Sequence, residues 1–402
     1  MAKEGKSAIV PRLRFPAFRG ASEWAEAPLE DLTKAIAPPA KLKTSSYLPS
    51  GTFPIIDQSQ QDICGWTDDT SAVVKEPLPL IVFGDHTCAL KLVQRPFAQG
   101  ADGIKILKAM AGVSTEYLFH SLSHRPLVLE DYKRHFSMLK ERRVFYPDIE
   151  TGEQQKIADC LTSLDELIAA QGRKVDALKT YKRGLMQQLF PREGETLPRL
   201  RFPEFASTNA WHSQKMSSLL SKASYSASVE PEATYREIGI RSHGKGIFHK
   251  EPVRGKVIGD KRVFHVVTDA LVLNIVFAWE QAVATTSKNE VGMIASHRFP
   301  MYVAKPGKCD VRYLKEFFLT NVGKRLLGVA SPGGAGRNKT LGQKEFESLE
   351  VALPISVDEQ TRVANCLSSV DADVAVESEK LNTLRTHKNG LMQELFPSQV
   401  EV

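Results

Sequence analysis

Long apolar runs are missing from this 402-residue chain, and nothing in it approaches the roughly 20 residues that a bilayer span requires. The N-terminal Met-Ala-Lys-Glu-Gly-Lys-Ser carries no apolar stretch of signal-peptide type, so a cytoplasmic protein with no membrane partner is expected. Cysteine is scarce. Cys64, Cys88, Cys160, Cys309 and Cys366 are odd in number and stand at no metal-ligand spacing, which predicts reduced thiols. A methyltransferase's glycine-rich cofactor loop and its Asn/Asp-Pro-Pro-aromatic or Pro-Cys element are absent. Residues 331–340, Ser-Pro-Gly-Gly-Ala-Gly-Arg-Asn-Lys-Thr, look like a phosphate loop, but no glycine directly precedes Lys339 and the Walker spacing fails. The histidine pairs His243/His249 and His120/His124 lack a third ligand at a supporting spacing. No nucleophile, base and orienting acid can be assembled. The chain reads as non-catalytic, with no cofactor and no metal.

What the chain does have is a duplicated cassette. Each copy opens with Pro-Arg-Leu-Arg-Phe-Pro-x-Phe, at residues 11–18 and 198–205, followed six residues later by Trp24 and Trp211. Each closes on a helical run, 153–191 and 359–397, identical at roughly half of its positions and ending Gly-Leu-Met-Gln-x-Leu-Phe-Pro. In the first run Ile157, Leu161, Leu164, Ile168, Val175, Leu178, Leu185 and Leu189 fall on alternating steps of three and four, interrupted by Gln171 and Lys182. In the second, Val363, Leu367, Val370, Val374, Leu381, Leu384, Leu391 and Leu395 repeat the ladder, interrupted by Glu377 and Lys388. Such a heptad seam predicts coiled-coil packing, and matching polar interruptions favour the two helices pairing antiparallel within one chain. Cys160 and Cys366, at equivalent repeat positions, would then lie too far apart for a disulfide. Thr151 with Gln154 and Ser356 with Glu359 have capping-box spacing, and Pro191 and Pro397 mark the stops. Each helix would be about 55 Å long, near a turn and a half of B-form DNA.

The segments between the repeats are unlike each other. Short apolar runs at 78–83, 88–93, 103–107, 262–267, 271–277 and 299–303 predict strands, and 117–123 and 311–327 predict helices. The fold class expected is α+β: two mixed α/β domains separated by two long antiparallel helices forming a coiled coil, in a pseudo-twofold circular layout. The boundaries are 1–150 for the first domain, 151–191 for the first helix, 192–355 for the second domain and 356–402 for the second helix.

The net charge of +6 is unevenly spread, with about nine net positive charges between residues 198 and 353. That predicts a polyanion partner. In the first half Gln58, Ser59, Gln60 and Gln61, then His86 and Thr87, then Lys91 and Arg95 gather donors and acceptors beside predicted strand ends. In the second half the groups are Arg241, Ser242, His243 and Lys245; Thr285, Thr286, Ser287, Lys288 and Asn289; and Arg337, Asn338 and Lys339. Arg and Lys bind guanine edges, Asn and Gln bind adenine, and hydroxyls hold phosphates, so all are candidate DNA contacts.

This organisation resembles the DNA specificity (S) subunit of type I restriction-modification systems over nearly the whole chain. The likeness rests on the two variable regions, each followed by a helix ending Gly-Leu-Met-Gln-x-Leu-Phe-Pro, and on the restart Leu-Pro-Arg-Leu-Arg-Phe-Pro. Arg337-Asn338, Leu341, Phe346, Leu353-Pro354 and Glu359-Gln360 add to it; the first half departs at 143–148, before Glu153-Gln154. The resemblance implies one target-recognition domain per half, reading an asymmetric two-part sequence in double-stranded DNA. It also implies as partners two copies of a modification (methyltransferase) subunit on the paired helices and a restriction (motor-nuclease) subunit. Two other classes compete: a nuclease or methylase fused to recognition domains, which activity assays of the purified chain separate, and a coiled-coil scaffold without DNA affinity, which salt-dependent duplex binding separates.

Overall fold

The computed structural model describes residues 9–129, 135–208, 210–333 and 339–397. The chain folds into two compact units, Met1–Gly172 with Glu379–Val402, and Arg173–Ser378. Each long helix, Glu153–Leu189 and Val357–Leu395, therefore contributes its first part to one unit and its second part to the other.

In the first unit an antiparallel sheet runs in the order Thr33–Ile36, Ile104–Ala109, Leu80–Gly84, Leu90–Val93. Alternation along Leu80–Gly84 explains why all five of its residues are buried. Ile81 and Phe83 pack with Tyr117 and Leu118 of the helix Thr115–His124, whereas Leu80 and Val82 join Ile56, Val74 and Phe97 on the opposite face. That second face meets another sheet, ordered Gly65–Thr67, Phe53–Ile56, Phe97–Gln99, Val73–Val74, with one parallel pairing between Phe53–Ile56 and Phe97–Gln99.

The second unit repeats the first sheet with the same strand order: Leu220–Ala223, Met301–Ala304, Ala270–Leu273, Val283–Thr285. Leu271 and Leu273 again face the helix side with Tyr313, Leu314 and Phe318, while Ala270 and Val272 face the other. Beyond that face the two units part company. Here stand three two-stranded ladders: Thr234–Tyr235 with Val253–Arg254, Ile238–Ile240 with Ile247–His249, and Val263–His265 with Ile294–Ser296.

All sixteen seam positions of the long helices are buried or half-buried. Within each unit the helix segments run antiparallel, and three of the four predicted interruptions of the seam, Lys182, Glu377 and Lys388, form ion pairs. Lys388 binds Asp165 at 2.6 Å in the first unit; Lys182 binds Asp371 at 2.6 Å and Lys174 binds Glu377 at 3.0 Å in the second. The repeated Pro-Arg-Leu-Arg-Phe-Pro segment closes each unit onto a helix end. Leu13 N–H donates to Glu394 O and Leu200 N–H to Gln188 O, both at 2.9 Å. Arg14 forks onto Glu153 at 2.8 and 2.6 Å, with Trp24 Nε1 donating to the same carboxylate at 3.3 Å. Arg201, Glu359 and Trp211 reproduce this at 2.7, 2.7 and 3.3 Å.

Three sequence expectations change. The capping boxes do not form, because Gln154 and Glu359 are engaged elsewhere: Gln154 Oε1 accepts from Ser114 N at 2.8 Å, and Glu359 takes Arg201. The helix expected over 311–327 is two, Val311–Phe318 and Asn321–Val329, with Thr320 capping the second through Gly323 N. Gly323 sits so close to the Phe317 carbonyl that a Cβ would lie 2.2 Å from it, which fixes the corner. The strand expected over 271–277 ends at Leu273, where Asn274 caps a turn through Val276 N.

Candidate nucleic-acid interface

In the first unit the loop after Phe53–Ile56 meets the turn joining Leu80–Gly84 to Leu90–Val93. Thr87 Oγ1 donates to Gln58 O, and Gln60 Nε2 donates to Thr87 O at 3.4 Å. Ser59 N–H donates to Asp57 Oδ1 at 2.8 Å and its hydroxyl lies 3.1 Å from Cys64 Sγ. Lys91 is 7% exposed, and its ammonium donates to the carbonyls of Asp57, at 2.9 Å, and Gln61. Burial works to raise the Asp57 carboxyl's pKa, but hydrogen bonds from Cys64 and Ser59 and the Lys91 charge outweigh it, leaving it below the ordinary value.

The sequence expectation grouped Gln58, Ser59, Gln60, His86, Thr87, Lys91 and Arg95 as DNA contacts, and the structure separates them. Lys91 is turned inward to hold two carbonyls of the loop, and Thr87 and Gln58 tie that loop to the turn. Gln60, His86 and Arg95 are exposed. The Arg95 guanidinium rests over the half-buried Trp66 ring, 5.2 Å from its centroid.

In the second unit a tight turn, residues 241–246, closes the hairpin of Ile238–Ile240 and Ile247–His249, with Arg241 N–H donating to Gly246 O at 3.0 Å. Its tip docks on residues 280–281: His243 N–H donates to Glu280 O at 2.7 Å, Gly244 N–H to Gln281 O at 3.0 Å, and Ser242 Oγ to Glu280 Oε2 at 2.9 Å. Arg241 is exposed and stacks on Phe248 at 4.7 Å; Lys245 is exposed; Lys339 lies over Trp279 at 5.4 Å. One surface thus unites two groups that stand far apart in the sequence. Arg337 and Asn338 lie outside the described residues.

The third group folds elsewhere. Thr286 is 3% exposed, its hydroxyl donating to Val267 O at 2.5 Å and accepting from Ala270 N at 2.9 Å, so it stitches strands and is turned away from solvent. Ser287 caps the short turn Lys288–Glu290, and Lys288 and Asn289 are exposed. Glu290 accepts from His249 at 2.8 Å at the hairpin's far end. Burial would raise its pKa, but His249 and Ser287 lower it overall.

Sequence reasoning passed over Trp66, Phe248 and Trp279, the rings beneath Arg95, Arg241 and Lys339. A signal existed for two of them. Trp24 and Trp211 belong to the repeat and are buried, whereas Trp66 and Trp279 have no repeat counterpart and remain half-buried. Among the described residues no group of three or more His, Cys, Asp or Glu is placed to hold a metal ion, and no helix is long and apolar enough to cross a membrane. All five cysteines are free.

No protein-family model and no curated protein matches the chain. Among solved structures, the crystal structure of the type I restriction-modification system S subunit from M. genitalium superposes with a TM-score of 0.66 at 13% identity, covering 98% of this chain and 100% of that one. A chain from a structure concerned with complex assembly and conformational transition of the type I R-M system gives 0.47 at 14% identity, covering 94% and 98%. The HsdS subunit from Thermoanaerobacter tengcongensis gives 0.37 at 12%, covering 94% and 99%. The chain has the fold of a type I restriction-modification S subunit over nearly its whole length.

Proposed function

We propose that the chain is the DNA sequence-recognition subunit of a type I restriction-modification complex, binding an asymmetric two-part target with one recognition domain per half-site. One observation carries this reading: on an S-subunit fold, the two units share a frame down to the Arg–Glu–Trp latch but differ beyond the first sheet. A repeated frame suits two copies of one partner, and unlike inserts suit unlike half-sites. The recognition domains are residues 1–150 and 192–355; the helices of 151–191 and 356–402 carry two methyltransferase subunits, and a motor-nuclease subunit completes the assembly in the cytoplasm. The chain itself contributes binding and no chemistry, with Gln60, His86 and Arg95 facing DNA in the first unit and Arg241, His243, Lys245 and Lys339 in the second.

Helix length sets the gap between half-sites. Deleting or inserting one heptad in a helix should change the preferred gap and leave both half-site sequences intact, as read by methylation-sensitive sequencing in cells that also express the cognate modification subunit. Altered half-sites with an unchanged gap would overturn this division of roles. Duplex binding should fall steeply with salt, and salt-insensitive binding would remove the phosphate contacts from the account.

A further inference from the structure

Granted the DNA-reading role, we propose that His243 is a specificity-determining residue of the second unit, meeting a base edge, while the neighbouring lysines hold phosphates. His243 stands at the tip of the 241–246 turn with φ +59°, a left-handed conformation that side-chain-bearing residues seldom adopt. The residue it docks beside, Gln281, is also left-handed at φ +60°, and Gln281 Nε2 is anchored to Phe318 O at 2.9 Å. Strained backbone persists where its surroundings over-determine it, and it concentrates at ligand sites. Here the determinants are the two main-chain bonds from His243 and Gly244 to Glu280 and Gln281, and the close seat of Gly244, whose Cβ would lie 2.7 Å from Leu319.

The consequence is a fixed platform with an unengaged reader. His243 is exposed, and its imidazole has no hydrogen-bond partner among the described residues. A neutral imidazole offers one donor and one acceptor, and base edges in the major groove differ in the donors and acceptors they present, so one ring nitrogen can tell them apart. Carried on a backbone fixed by main-chain bonds, it discriminates because the wrong base leaves a desolvated group unpaired. Lys245, exposed on the same turn, and Lys339, over Trp279, are flexible point charges suited to phosphate and carry no sequence information.

The test selects duplexes from a randomised library with the full chain and sequences what is retained. His243→Asn keeps tolerance of the left-handed conformation and changes the donor geometry; His243→Gly removes the side chain and relieves the strain. Both should change base preference by about tenfold or more at one or two adjacent positions of one half-site, with the other half-site unaltered. Lys245→Ala should weaken binding to all sequences alike and lower the salt slope by about one. Unchanged preferences in both histidine variants overturn the proposal and leave the DNA-reading role standing. Uniform loss of binding in both variants also overturns it, making His243 a support of the turn. A wild-type chain that selects no sequence overturns the DNA-reading role itself, and this proposal with it.

Discussion

In each unit a tyrosine packs edge-on against the latch tryptophan, Tyr117 on Trp24 and Tyr313 on Trp211, both at 6.1 Å between ring centres. Three residues further along the same helix the units diverge, with His120 in one and Glu316 in the other, 1% and 0% exposed. His120 Nε2 lies 3.0 Å from Thr162 Oγ1, and Nδ1 lies 3.9 Å from Asp165, which Lys388 already holds. Burial and the Lys388 charge push the histidine down to about 4, against the opposing pull of Asp165. Glu316 sits between Lys182, at 3.0 Å, and Lys315, and Asp371 lies 2.6 Å from Lys182 and 3.8 Å from Lys315. Burial would lower the Lys182 pKa, but Glu316 and Asp371 raise it overall. Both clusters reach charge balance, the first by keeping its histidine neutral and the second with two ions of each sign. The frame therefore tolerates different chemistry at a buried position provided the local sum stays near zero.

The sharpest way to break the equivalence of the units is through the latches. Glu153→Ala and Glu359→Ala each remove the carboxylate onto which the arginine forks, and each should cost about 3–5 kcal/mol in denaturant unfolding of the full chain. A cost under about 1 kcal/mol for one of them would show that the two latches are alike in geometry only. Next in size, Glu316→Gln strands Lys182 and Lys315 beside Asp371 alone and should cost about 2 kcal/mol, read as faster amide exchange in Val311–Phe318. An unchanged exchange rate would mean that the cluster contributes nothing net.

Acid should then distinguish the units. An unfolded histidine takes its proton near 6.5 and His120 only near 4, so the unfolded chain binds more protons between those values and stability falls as pH drops through them. By pH 5.5 the loss is about 1 kcal/mol, visible as exchange in Thr115–His124 rising relative to Val311–Phe318. His120→Gln should flatten that response, and an identical acid response of both helices would refute the contrast. The smallest effect is expected at Lys41–Asp102, whose side chains are 56% and 82% exposed; Lys41→Ala should leave the unfolding midpoint unchanged, and a clear shift would show that solvent does not screen the pair.

How much of this was legible depended on whether the signal was local. The seam from Ile157 to Leu189 and from Val363 to Leu395 announced itself by spacing, and Leu80–Gly84 by its apolar run, because side-chain direction follows from backbone period alone. The break at Thr320 was hidden: Val311, Leu314, Phe318 and Val322 keep helical spacing through it, and only the seat of Gly323 on Phe317 forces the corner. Gln154 and Glu359 showed capping spacing but found stronger partners from distant segments, Ser114 and Arg201. The short strands Gly65–Thr67, Val73–Val74 and Phe97–Gln99 carry too few residues for a period to show.

Sequence by itself determined that there are two copies of one frame, where the long helices run and which of their faces are apolar. Tertiary structure alone decided the fate of polar groups in the variable segments. Lys91 and Thr286, alike in type to Lys245 and Ser287, are turned inward because main-chain carbonyls from distant residues needed donors there. Apolar burial is non-directional and follows from a pattern along the chain, whereas a polar side chain goes where a complementary group waits, and that group is placed by the fold.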